Sequence, residues 1–310
     1  MDRSVGMDNL HQIQINFDQS QVLLLNICLG ILMLGVALDL KVDDFKYVVK
    51  SPKSIIVGLI SQLLLLPLMT LGLIYILHPA YSLMMGMALI AACPGGNVSN
   101  YATHLSKGNA ALSVILTIIS TLCCVFTTPF IFSTLQHFIP VEKVADSDFN
   151  IHFADMVTTI FQLIILPLVF GFGLNAFFPL FVMKIKDWVK KISFIIFIGF
   201  VVAAVAGNLD NLKKYLDIVF VIVLVHNGLA LLIGYLWPRY IAGLSAYDSR
   251  TISIETGIQN SGLALILVFN FFDGNGGMAL IAAWWSIWHL ISALGLALIW
   301  KNRTPKIESA

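Results

Sequence analysis

The most constraining feature of this sequence is a long stretch without charge, because residues 54–106 contain no Asp, Glu, Lys or Arg. A helix needs about 20 apolar residues to cross the hydrocarbon core of a bilayer, so this stretch is long enough for two crossings. The whole chain is 58% hydrophobic and 11% charged, whereas soluble domains carry about 25% charged residues. The sequence therefore predicts an all-α polytopic membrane protein embedded in a lipid bilayer.

Other function classes are excluded by what the sequence lacks. The formal net charge of +1 provides no basic face for nucleic acid. We find no nucleophile–base set, no phosphate-binding glycine loop and no His/Cys metal motif, and the cysteines all fall in apolar segments. We therefore predict that the protein is not an enzyme, and nothing in the sequence indicates an obligate protein partner.

Charged and turn residues divide the apolar sequence into nine predicted membrane spans. Their bounds are 21–39, 53–77, 81–104, 109–134, 152–178, 188–207, 215–237, 250–271 and 276–300. Lys and Arg in short loops favour the cytoplasmic side. Fourteen of the 18 Lys and Arg residues fall on the side of the C-terminus. We therefore expect residues 1–20 to lie outside, 21–301 to form the transmembrane domain, and 302–310 to form a cytoplasmic tail. In a bacterium this would be the inner membrane.

The spans show an internal repeat. Two of them are interrupted, and Pro94 in the first is 161 residues before Glu255 in the second. The same offset relates the first, second and fourth spans to the sixth, seventh and ninth. Partners are an odd number of spans apart and so cross the membrane in opposite directions. The spacing predicts two inverted repeats, of which the first lacks its first helix, and paired interrupted spans are typical of transporter binding sites.

Both interruptions carry polar residues that suit ions. Pro94-Gly95-Gly96 should unwind its helix, because proline costs about 3 kcal/mol and each glycine about 1 kcal/mol in a helix interior. Unwinding exposes carbonyls that suit a cation and amides that suit an anion. A simple proline kink is the alternative.

Glu255 is the only acidic residue in the interior of a predicted span. No span offers an interior Lys or Arg to pair with it, which leaves a cation or a proton as its partner. Ser113 and Thr117 share one helical face, although alone they could be ordinary packing residues. Oxygen-bearing residues make up the full set and suit a hard cation such as Na⁺: Ser99, Asn100, Ser113, Thr117, Glu255, Gln259 and Asn260. Single polar residues elsewhere are expected to form helix–helix hydrogen bonds: Asn26, Gln62, Gln162, His226, Asn227 and His289.

The motifs together resemble the bile acid:sodium symporter family, over about residues 22–300. The matching runs are Cys93-Pro94-Gly95-Gly96-Asn97-Val98-Ser99-Asn100, Glu255-Thr256-Gly257-Ile258-Gln259-Asn260-Ser261-Gly262-Leu263-Ala264 and Ser286-Ile287-Trp288-His289. The resemblance implies a panel domain (about 21–40 and 152–207) beside a core domain (about 53–134 and 214–300). The two discontinuous helices would cross in the core.

The resemblance also implies an activity and its sites. The activity is sodium-coupled symport of an organic anion of bile acid type by alternating access, with two Na⁺ ions. The first sodium site would comprise Ser99, Asn100, Ser113, Thr117 and Glu255. The second would comprise Gln62, Glu255, Gln259 and the backbone carbonyls of Thr256 and Ile258. Substrate would lie near Asn97, Asn260 and His289.

Three departures from this expectation stay open. The cargo could instead be a small carboxylate such as pantoate or a 2-keto acid, because Asn97 stands where relatives often carry a smaller residue. The coupling ion could be a proton, since Glu255 could bind one. A channel-like or sensor protein on the same scaffold is more remote, because the polar residues cluster at the interruptions and the ends of the spans are apolar.

Overall fold

The computed structural model describes residues 19–38, 52–140, 152–206 and 215–303. These residues form eleven helices when each π-helical turn is counted with the helix it continues. Their bounds are α1 Gln19–Ala37, α2 Pro52–Leu77, α3 Tyr81–Ala92, α4 Val98–Leu105, α5 Ala110–Phe138, α6 Phe153–Phe177, α7 Pro179–Ala206, α8 Leu216–Ile241, α9 Ala246–Gly257, α10 Ser261–Phe271 and α11 Gly276–Lys301. The prediction of an all-α membrane protein is confirmed.

Length and composition separate the helices into two kinds. Within the described ranges, five helices are long and apolar enough to cross a bilayer, namely α2, α5, α6, α8 and α11. Shorter apolar helices occupy Val22–Gly35, Tyr81–Ala92 and Ser261–Phe271. The count of nine spans stays a prediction. Most of the expected external segment 1–20 and of the tail 302–310 lies outside the described residues.

Three long helices contain one π-helical turn each, and each turn lies next to a proline. The turns are Ser61–Leu65 beside Pro67, Phe161–Ile165 beside Pro167, and Trp237–Ile241 around Pro238. Proline has no amide hydrogen, and its ring clashes with the carbonyl four residues earlier. Before Pro67 and Pro167, the extra residue of the π turn makes room for the ring without ending the helix.

Several helices extend beyond the bounds of the predicted membrane spans, and two of them show why. Helix α7 begins at Pro179 and not at 188, so only Phe178 separates it from α6. Lysine is a good helix former, and therefore Lys184 and Lys186 lie within the helix although the pattern suggested a loop. Helix α8 continues through Pro238 to Ile241, beyond the predicted end at 237, and its last residues form a π turn.

The packing of α1 differs from that of the interrupted helices. Helix α1 packs along α6 and α7 and also contacts α10. Helices α3 and α10 both pack on α11, and α9 packs mainly on α8. All residues of α3 and residues 261–269 of α10 are buried. Because protein surrounds them, these short helices can end where a lipid-exposed helix could not.

Candidate ion-binding site

The two interruptions meet and pair through their backbones. Gly95 and Gln259 form an isolated antiparallel bridge between the α3–α4 and α9–α10 connections. The Gly96 amide donates to the Ile258 carbonyl at 3.0 Å, and the Asn260 amide donates to the Pro94 carbonyl at 2.7 Å. These bonds satisfy backbone groups that the ended helices leave free. We call this paired segment, residues 93–97 and 258–260, the crossing.

Other groups approach the glycines of the crossing closely. A Cβ atom on Gly95 would lie 3.0 Å from Gln62 Nε2 and 3.2 Å from Glu255 Oε2. On Gly96 it would lie 3.0 Å from the Gln259 carbonyl oxygen. The space beside Gly95 is therefore where the polar side chains of α2 and α9 come together.

The first predicted sodium set is assembled around Glu255, whose side chain is 1% exposed. Glu255 Oε1 accepts a hydrogen bond from the Ser113 hydroxyl, and Oε2 accepts one from Thr117 Oγ1 at 3.0 Å. Ser113 Oγ also lies 2.9 Å from Asn100 Oδ1, and Ser99 Oγ lies 3.3 Å from Thr117 Oγ1. The structure thus brings all five residues of this set together.

One hydroxyl of the first set faces two acceptors. The Ser113 hydroxyl carries one proton, yet it faces two acceptor oxygens, on Asn100 and on Glu255. No basic side chain of the described residues bonds to the Glu255 carboxylate. A buried carboxylate without a cationic partner is costly. The donor set therefore fits an oxygen-preferring cation such as Na⁺.

The second predicted set joins side chains of α2 and α9 beside Gly95. Gln62 Nε2 is 3.5 Å from Gln259 Oε1, and Gln259 Nε2 donates to the Thr256 carbonyl at 2.9 Å. Gln62 Oε1 is buried and finds no hydrogen-bonding partner in the described part of the chain. An acceptor oxygen without a proton, close to a carboxylate, also fits a cation.

The backbone carbonyls predicted for this second set are engaged but not saturated. The Thr256 carbonyl accepts from Gln259, and the Ile258 carbonyl accepts from the Gly96 amide. A carbonyl oxygen has two lone pairs, so each keeps one available for an ion.

Two hydroxyl residues at the site were not predicted. Ser120 is fully buried, accepts from the Gly95 amide at 3.3 Å and donates to the Thr117 carbonyl at 3.2 Å. Its spacing of three residues from Thr117 was a usable signal, because such residues share a helical face. Ser61 lies 2.9 Å from Thr256 through their hydroxyls. Ser61 is the first residue of a π turn, in which Ser61 and the next residue, Gln62, are both buried.

The predicted substrate residues lie beside the crossing or along α11. Asn97 and Asn260 directly precede α4 and α10, and Asn260 Oδ1 accepts from the Leu263 amide at 3.0 Å. His289 is 6% exposed. It lies one turn along α11 from Ser286, whose hydroxyl donates to Ser261 beside Asn260 at 2.7 Å. Among the described residues, no partner bonds to His289 Nδ1.

Most of the other intramembrane polar residues form helix–helix hydrogen bonds, as expected. Asn26 and Asn270 exchange two amide hydrogen bonds at 3.2 and 2.9 Å. His226 Nε2 is 2.7 Å from Thr70 Oγ1, and Asn227 bonds to α9 and α11. Gln162, in contrast, is exposed.

Known proteins are similar to this chain in sequence. The family model described as Sodium Bile acid symporter family matches residues 26–215. An uncharacterized sodium-dependent transporter of Bacillus subtilis, YocS, is 34% identical over 92% of this chain and 85% of its own length. A probable chloroplastic sodium/metabolite cotransporter of rice, BASS2, is 30% identical over 90% of this chain and 64% of its own length. The probable chloroplastic sodium/metabolite cotransporter BASS1 of Arabidopsis thaliana is 31% identical over 90% of this chain and 67% of its own length.

Proposed function

Since the chain belongs to the sodium bile acid symporter family, we propose that it is a secondary transporter that couples Na⁺ to the symport of an organic anion. One observation carries the proposal. The Glu255 carboxylate is buried among hydroxyl and amide groups, and the described residues offer it no basic partner. A bound cation supplies the missing charge, and the relatives named as sodium-dependent support Na⁺ as that cation.

Two Na⁺ ions share Glu255 in this proposal. The first ion is held by oxygens of Ser99, Asn100, Ser113, Thr117 and Glu255. The second is held by Gln62, Glu255, Gln259 and the carbonyls of Thr256 and Ile258. The Ser113 hydroxyl that faces two acceptors in the first set and the unpaired Gln62 Oε1 in the second support one ion in each set. To bind the second ion, the Gln259 side-chain amide turns over, so that Oε1 takes the position that Nε2 now holds beside the Thr256 carbonyl.

The organic anion binds next to the crossing, near Asn97, Asn260 and His289. Helices α4 and α10 begin there, and helix N-termini favour negative charge. Its chemical class is a bile acid or a smaller carboxylate such as pantoate or a 2-keto acid. The plant relatives, named for metabolites and not for bile acids, support the inclusion of small carboxylates.

Transport proceeds by movement of a core domain against a panel domain. The panel comprises α1, α6 and α7, and the core comprises α2–α5 and α8–α11. The packing of α1 along α6 and α7 supports this division. The N-terminus lies outside and the C-terminus in the cytoplasm, because most Lys and Arg residues fall on the side of the C-terminus. Labelling of cysteines added near residues 5 and 308 by an impermeant reagent tests the orientation, and labelling of both from outside would contradict it.

The decisive experiment measures uptake into proteoliposomes with the purified chain. Taurocholate, pantoate and pyruvate are tested with an inward sodium gradient, with choline in place of sodium, and with an inward proton gradient. We expect accumulation of at least one anion against its gradient only with sodium. Accumulation that follows the proton gradient would favour proton coupling. Equilibration without accumulation under every gradient would favour a channel and refute the proposal.

A further inference from the structure

Asn227 connects three helices from the middle of α8, where its side chain is fully buried. Its Nδ2 donates to the Gly257 carbonyl of α9 at 2.7 Å, and its Oδ1 accepts from the Ser292 hydroxyl of α11. A polar residue in a membrane helix commonly does no more than join neighbours. What sets Asn227 apart is the position of the two groups that it joins.

The first of these two groups, the Gly257 carbonyl, lies at the end of α9 next to the crossing. Gly257 is the last residue of α9, and the carbonyls of its two neighbours, Thr256 and Ile258, are ligands of the proposed second sodium site. An ion that draws those carbonyls inward must also turn the peptide unit of Gly257 between them. The Asn227 amide holds the oxygen of that peptide unit.

The end of α9 cannot shift without α8, because glycines bring the two helices into direct contact. A Cβ atom on Gly257 would lie 2.3 Å from Leu231 Cδ2. A Cβ atom on Gly234 would lie 2.8 Å from Ser253 Cα. Because the helices are packed this closely, α9 can respond to an ion only by rotation of individual peptide units. Asn227 is bonded to one of these units, that of Gly257.

The other group belongs to the α11 turn that carries His289. The Ser292 hydroxyl lies within hydrogen-bonding distance of both Asn227 Oδ1 and the His289 carbonyl, and it has one proton to share. A displacement of Asn227 therefore changes how strongly Ser292 bonds to the His289 turn. Two side chains suffice to connect the Gly257 carbonyl with that turn.

We propose that Asn227 is a positioning residue that transmits occupancy of the second sodium site to the His289 turn of α11. This inference rests on the proposed function, because it needs sodium at the crossing and substrate near His289. Sodium rotates the Gly257 peptide, and the Asn227 side chain follows the carbonyl to which it is bonded. The Ser292 hydroxyl then changes its hydrogen bond between Asn227 Oδ1 and the His289 carbonyl. The α11 turn is then ordered before the organic anion binds.

Hydrogen–deuterium exchange with NaCl against choline chloride tests the proposal, with sodium alone as the probe. Peptides covering 94–100 and 255–261 report on the crossing, and a peptide covering 286–295 reports on α11. In the wild type, sodium should slow exchange of both regions about fivefold or more, the lower end of usual coupling between sites. In Asn227→Ala and in Ser292→Ala, the crossing should stay protected while the sodium protection of α11 is lost.

Two variants serve as controls. Ser253→Ala removes another hydrogen bond between α8 and α9, from Ser253 Oγ to the Leu231 carbonyl at 2.6 Å, one turn before Gly257. Ser292→Thr keeps the hydroxyl. Both variants should retain the sodium protection of α11. If Asn227 mattered only because it joins α8 to α9, Ser253→Ala should lose that protection as well.

The outcomes separate the inference from the proposed function. Absence of sodium protection in every wild-type peptide would refute sodium binding itself. Protection of the crossing without protection of α11 in the wild type, or full α11 protection in Asn227→Ala, would refute the transmission. If Asn227→Ala does not fold, Ser292→Ala decides, because Ser292 contacts no proposed sodium ligand. Full sodium protection of α11 in Ser292→Ala would equally refute the role of Asn227.

Discussion

Replacement of Glu255 by glutamine tests the proposed ion sites most directly, because it removes a charge and keeps the shape. The two carboxylate oxygens accept from Ser113 and Thr117. Hydroxyl groups rotate freely between donor and acceptor roles, so both can also bond to an amide. The variant should therefore fold. Without sodium it should be at least as stable as the wild type, because a buried carboxylate without a cation is costly.

The loss of sodium affinity should be large. A unit charge about 4 Å from an ion contributes about 4 kcal/mol at an effective dielectric constant of about 20. At about 1.4 kcal/mol per tenfold change, this corresponds to about three orders of magnitude in the dissociation constant. That value is an upper limit, since the glutamine keeps one oxygen ligand. Because Glu255 is shared, both ions should be weakened.

Thermal unfolding in sodium and in choline measures this effect. One ion at a hundred times its dissociation constant stabilises the folded state by about 2.7 kcal/mol, and a thousandfold weaker ion by less than about 0.1 kcal/mol. The wild type should thus show a sodium-dependent shift that Glu255→Gln lacks. Asp248→Asn is the matched control, because Asp248 accepts from Ser54 and Asn109 at 2.7 Å each, at the far end of α9. It should lower stability in both salts and keep the sodium shift. A full sodium shift in Glu255→Gln would refute the site.

Five further substitutions separate the parts of the site. Ser113→Ala with Thr117→Ala should weaken one ion and leave a shallower sodium dependence of uptake, whereas Gln259→Ala should weaken the other; equal effects on both ions would contradict two sites. Gly95→Ala should lower the free energy of unfolding by about 1–3 kcal/mol and reduce sodium affinity, because its Cβ would lie 3.0 Å from the nearest side-chain atom of the site; chemical denaturation measures the first effect. Asn260→Ala should weaken anion binding at saturating sodium more than it weakens sodium, and calorimetry that found the reverse would contradict the assignment.

The sequence was sufficient to predict the residues that are costly in a membrane. An uncompensated Glu255 and a Pro94-Gly95-Gly96 run each cost several kcal/mol in an apolar helix. Such residues persist only beside a ligand, a cavity or another chain segment. The structure confirms that both lie where two interruptions meet.

Contacts between distant segments could not be derived from periodicity. The Ser61–Thr256 contact joins hydroxyls 195 residues apart, and it depends on a π turn whose only sequence signal is the proline at position 67. The start of α7 was also missed, because lysines favour a helix as much as they suggest a loop. Asn227 looked like any intramembrane asparagine, since its importance depends on the carbonyl that it contacts.

The polarity of the helix ends at the crossing explains why the proposed cations and anion should bind together. Helices α3 and α9 end there, and α4 and α10 begin there. Helix C-termini carry negative partial charge and N-termini positive partial charge. Cations beside Glu255 and the end of α9 would offset negative charge that otherwise repels an anion approaching Asn260. The bound anion would in turn offset the charge of the cations, and by linkage each should tighten the other by the same factor. Sodium titration should therefore show a higher sodium affinity in the presence of a transported anion than in its absence, and an unchanged sodium affinity would show that the two binding steps are not coupled at this crossing.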